Sequence, residues 1–218
     1  MYHSNEPIAK LPDPAKSPFS GAGSFATASN TIAWESGSAP SWLRSLSAVI
    51  LSSCLISLFA KVAIPLPFTP VPLATQGIVI LILSVFLGSK RAVAAVLGFL
   101  AQAAMGLPVL AGGVGGIAKL AGPTGGYLFG YVAGAFLVGY LAERTKVFST
   151  LKLFSILAAG KALFFVFGVP YLAAFVGLKN AFVMGLLPFI LGDLLKLGAA
   201  VKLLEWLCDR GQNSREKG

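Results

Sequence analysis

Asp193 and Lys196 stand three positions apart in the otherwise apolar run LPFILGDLLKLG, residues 187–198. On a helix that spacing puts both side chains on one face. A charge held at the centre of a bilayer costs at least about 2.5–3.5 kcal/mol on insertion scales, so such a pair has to face a bundle interior or a hydrated cavity. It either neutralises itself there or holds the polar groups of a ligand. Lys119, in a glycine-rich and apolar setting, offers a second cation. One carboxylate against two cations leaves room for one carboxylate or similar anion. Gln76 and Gln102 add amides able to donate and accept, although each also suits a plain helix–helix contact. Lys161 is open: it reaches the same cavity or snorkels toward the membrane surface.

Other chemistries lack their residues. The one histidine, His3, lies in a polar segment, which argues against a Ser-His-Asp triad or a His-ligated metal. Cys54 and Cys208 are isolated and read as small packing residues. GGVGG is followed by no Lys-Ser or Lys-Thr, so there is no phosphate loop and no nucleotide hydrolysis by this chain. Asp193 is the single carboxylate well inside an apolar segment, too few for metal-assisted phosphotransfer. An intramembrane enzyme would have only Asp193 and the lysines to work with. Lys202 and Glu205, also three apart, read as a structural pair near a helix end.

The elements that carry these residues follow from composition. Of 218 residues, 56% are hydrophobic and 11% charged, with mean hydropathy +0.81; soluble domains carry about 25% charged residues. The expectation is an all-α integral membrane protein. Apolar segments at 43–64, 75–87, 92–105, 127–142, 148–168 and from 186 or 187 to 207 read as six transmembrane helices. The second and third are short and are separated by the basic turn 88–91. Pro65, Pro67, Pro70 and Pro72 rule out regular helix between the first two segments. The glycine-rich stretch 106–126 is too apolar for a solvated loop, which fits irregular backbone lining a cavity. Pro170 is expected to break the helical run just past the fifth helix; residues 171–185 read equally as a loop with a short helix or as an extension of a neighbour. The expected layout is a polar cytoplasmic extension at 1–41, a helical domain at 42–209 and a tail at 210–218.

Six crossings put both termini on one side. That side collects Lys10, Lys16, Arg44, Lys90, Arg91, Arg144, Lys146, Lys152, Arg210, Arg215 and Lys217, against Lys61, Lys119 and Lys179 on the other. The bias places both termini in the cytoplasm. It also accounts for most of the net charge of +9, so no nucleic-acid partner is expected.

Three stretches together resemble the BioY biotin-transporter family, the substrate-binding S components of energy-coupling-factor vitamin importers. They are IPLPFTPVP (64–72) with Gln76 shortly after, GLPVLAGGVGGIAKLAGPTGGYLFGY (106–131) and LPFILGDLLK (187–196). The resemblance implies a six-helix bundle in the bacterial cytoplasmic membrane that binds biotin in a pocket and is not an enzyme. By this likeness Asp193 accepts from ureido N–H groups and Lys196 meets the ureido oxygen or the carboxylate. Gln76, Gln102 and Lys119 join them, and the loop carrying Gly112, Gly113, Thr124 and Tyr127 lids the pocket. The first helix would dock on a transmembrane coupling protein, served by two ATPase subunits, through Ala48 and Ser52. Biotin is then the transported ligand and no cofactor is implied. The same architecture for another small vitamin, or a biotin transporter acting alone, is the alternative.

Overall fold

The computed structural model describes residues 40–64, 66–145 and 149–215. The expected amino-terminal extension falls outside these residues apart from Pro40 and Ser41, as does the end of the tail. Helix α1, Ser41–Ala60, stops four residues before the expected 64. Ala63–Ile64 (β1) instead pairs antiparallel with Leu73–Ala74 (β2), registering Ala63 with Ala74 and Ile64 with Leu73. Pro65 disfavours helical backbone at the residue before it, and the remaining prolines occupy the hairpin tip, where no ladder needs their missing amides.

Helix α2, Gln76–Ala104, covers the second and third expected segments without the four-residue turn. Gly88 alone makes the break, at φ 75° and ψ 172°, a backbone open to glycine and strained for other residues. The chain reverses there. Thr75 Oγ1 donates to Phe59 O at 2.9 Å, while at the far end of α2 Gln102 Nε2 donates to Ser53 Oγ at 2.6 Å. Both ends of α2 therefore lie beside the carboxyl half of α1, and the two arms run back along each other. At the bend, Glu143 Oε1 accepts from the Ser89 amide at 2.8 Å, a carboxylate capping the exposed N–H groups of the second arm.

A short helix α3, Ile117–Leu120, interrupts the glycine-rich stretch. Next come α4, Gly125–Arg144, and α5, Thr150–Val176. The expected break at Pro170 does not occur: Pro170 lies inside α5. Proline removes one amide from the ladder, and a helix packed on both sides carries that loss. Gly177 ends the helix instead, at φ 81°. Residues 171–185 combine the two expected arrangements, completing α5 and then forming α6, Leu178–Gly185. Helix α7, Leu187–Arg215, begins with Pro188 in its first turn, where its missing amide costs little.

Among the described residues, five stretches are long and apolar enough to cross a membrane: α1, α2, α4, α5 and the combined run Leu178–Leu207. Helix α4 packs most extensively on α5 and α2, with Phe99, Phe164, Ile80 and Leu157 among the fully buried side chains. The outside of the bundle is apolar too, carrying Ile50 and Leu51 on α1 and Leu191 and Leu195 on α7. Water is a poor solvent for such a surface and lipid a good one. Cys54, expected as a packing residue, is exposed on α1.

Candidate ligand-binding site

Between the β hairpin, the glycine-rich stretch, α2, α4, α5 and α7 lies a cavity with aromatic walls and a charged floor. Tyr127 and Tyr131 come from α4, Phe164 and Phe165 from α5 and Phe189 from α7. Tyr131 meets Phe164 edge-on at 4.7 Å between centroids, and Tyr127 meets Phe165 in the same manner at 6.4 Å. These rings give flat apolar surface with little freedom to collapse. Tyr127 is seated from behind, because a Cβ at Gly168 would overlap its ring. Its hydroxyl donates to Gly185 O at 2.8 Å, so the ring is a wall and the hydroxyl a clasp on the end of α6.

The charges converge on Asp193, which is 6% exposed. Lys161 Nζ lies 2.8 Å from its Oδ2, and Lys196 Nζ lies 3.7 Å from its Oδ1. Lys196 also donates to Ala74 O in β2 at 3.3 Å, which ties α7 to the hairpin. Gln76, in the first turn of α2 and 3% exposed, donates through Nε2 to the Tyr131 hydroxyl at 3.2 Å. Its Oε1 has no hydrogen-bond partner among the described residues. A buried acceptor left unpaired is costly, and here it borders a cavity from which a donor can come. Chemically, the site offers apolar stacking surface, an unpaired amide oxygen and two ammonium groups sharing one carboxylate. It suits a small ligand that is largely apolar, carries N–H donors and bears an anionic end.

The profile of the BioY family matches residues 28–212. The chain belongs to the BioY family. Among curated relatives, a biotin transporter BioY of Rhizobium etli is 38% identical over 71% of this chain and 87% of its own length. A biotin transporter BioY of Thermotoga maritima is 37% identical over 72% of this chain and 92% of its own. A crystal structure of the S component for biotin from an ECF-type ABC transporter superposes with a TM-score of 0.68. It has 29% sequence identity and covers 76% of this chain and 91% of that one.

In this BioY chain the cavity brings together six of the residues named from sequence: Gln76, Lys119, Thr124, Tyr127, Asp193 and Lys196. Gly112 and Gly113 do not line it; their neighbours Leu110 and Ala111 do. Gln102 is turned away, bonded to Ser53 and to Ser57, whose Oγ donates to Gln102 Oε1 at 3.1 Å. Of the pair named for the coupling subunit, Ser52 is buried and Ala48 half-buried. Lys161, whose direction sequence left open, lines the cavity. Tyr131, Phe164, Phe165 and Phe189 escaped sequence reasoning, since aromatic residues in an apolar chain carry no mark of which side they face.

Proposed function

We propose that this chain is a biotin-binding membrane subunit that captures biotin in the aromatic cavity for uptake. The Lys161–Asp193–Lys196 cluster beside the unpaired oxygen of Gln76 carries the reading. Biotin presents a fused apolar ring and alkyl chain, two ureido N–H donors with a carbonyl between them, and one carboxylate. Each finds a counterpart: ring walls for the apolar part, Gln76 Oε1 and Asp193 for the donors, and the ammonium groups for the carbonyl and carboxylate. Membership of a family whose curated members include biotin transporters supports the ligand. Binding and release of an unchanged ligand is transport, not catalysis.

The bundle crosses the membrane six times in this reading, the two arms of α2 counting separately, with both termini in the cytoplasm. The gathering of Lys90, Arg91, Arg144 and Lys152 at one end supports that orientation. Likeness to an S component supports assembly with a transmembrane coupling protein and two ATPase subunits in a bacterial cytoplasmic membrane. Equilibrium binding of labelled biotin to purified protein, with desthiobiotin, riboflavin and thiamine as competitors, tests the ligand. Tight binding displaced by biotin but not by riboflavin or thiamine is expected. Folded protein that ignores biotin overturns the assignment.

A further inference from the structure

Two half-buried ammonium groups in this cavity share one buried carboxylate, and they share it unequally. Lys161 Nζ is 2.8 Å from Asp193 Oδ2. It also sits 5.2 Å from the Phe164 ring centroid and 5.3 Å from that of Phe165, within range of both as a cation over aromatic rings. Lys161 thus lies in charge contact with the carboxylate and two aromatic rings, while Asp193 Oδ2 makes no hydrogen bond among the described residues. Lys196 Nζ stands off at 3.7 Å from Oδ1, with a 3.3 Å bond to a carbonyl as its other support. One negative charge neutralises one ammonium, and the shorter contact takes the larger share. The cluster is left with about one net positive charge on the looser partner, in a place where unbalanced charge is expensive.

We propose that Lys161 sets the ligand charge this site selects: it takes the larger share of the Asp193 charge, leaving Lys196 as the less neutralised cation that binds a monoanionic carboxylate. This deepens the biotin reading and rests on it. Lys161 is a positioning residue in this scheme, acting through Asp193. Were it absent, Asp193 and Lys196 would close on each other as a neutral pair and the site would lose its preference for an anion. Lys119 also lines the cavity, but it is exposed, where solvent and salt screen its charge.

The test compares biotin with its neutral carboxamide on the purified full-length chain. In wild-type protein the acid should bind at least about tenfold more tightly than the amide, the scale of a charge-assisted hydrogen bond. Lys161→Met should bring that ratio close to one chiefly by weakening the acid. Lys161→Arg should restore it. Lys161→Met protein that keeps the wild-type ratio overturns the proposal. Thermal stability reads the charge sharing without any ligand. Asp193→Asn should lower Tm, and adding Lys161→Met should recover part of the loss because one uncompensated ammonium group is then gone. Wild-type protein that binds neither compound overturns the biotin reading, and additive Tm losses in the double variant overturn the charge sharing separately.

Discussion

Gln76 uses one half of its amide on Tyr131 and keeps the other half unpaired beside the cavity. A ligand N–H that bonds this oxygen recovers a desolvation cost already present in the empty protein, of about 1–3 kcal/mol. Gln76→Leu should therefore weaken biotin about tenfold or more while leaving Tm unchanged or raised, measured by titration and by thermal melts. A Tm loss without loss of affinity would make Gln76 a structural residue only. Asp193→Asn removes the charge that both lysines share. It should cost affinity more than Gln76→Leu does, and it should destabilise the empty protein as well, because two half-buried ammonium groups are then left without a carboxylate. Asp193 and Lys196 were legible in sequence because opposite charges at helical spacing inside an apolar run have few other uses. Lys161 was not, since its partner lies two helices further along the chain and one lysine fixes no direction. Gln76 and Gln102 looked alike for the same reason: the environment that separates them, cavity for one and serines for the other, is set by tertiary packing.

Helical segments were legible from length and hydropathy; their ends were less so. Expecting α1 to continue to 64 missed that Pro65 pushes the chain into β1, a pairing completed by residues beyond the proline-rich tip. Pro170 misled in the other direction, because packing around α5 outweighs one lost backbone bond. Pro170→Ala should accordingly leave Tm unchanged or raise it. Gly88 is the contrary case. Its φ of 75° and the Glu143 carboxylate lying where a Cβ would go make Gly88→Ala destabilising by at least about 1 kcal/mol. Gly192 and Gly198 on α7 have nothing within 4 Å of the same position, so Gly192→Ala and Gly198→Ala should be neutral or stabilising by helix propensity. Melts of the three variants side by side check the contrast, and equal losses would mean that Gly88 is not a constrained bend.

Over the whole molecule, charge and apolar surface act together on orientation. Reporter fusions should place the carboxyl terminus in the cytoplasm: a fusion active only in the cytoplasm should work there, and one active only outside should fail. The reverse pattern would overturn the six-crossing topology. The bend at Gly88 also bears on how the chain reaches the bilayer during synthesis. The first arm, residues 76–87, extends about 18 Å at 1.5 Å per residue, well short of the roughly 30 Å of hydrocarbon. Under the six-crossing topology proposed above, an arm of that length cannot anchor itself, and insertion of both arms together as one hairpin, with Lys90 and Arg91 at its cytoplasmic tip, is the expected route. A flexible polar linker spliced in at Gly88 should then cost yield of membrane-integrated protein more than it costs affinity in the molecules that do insert.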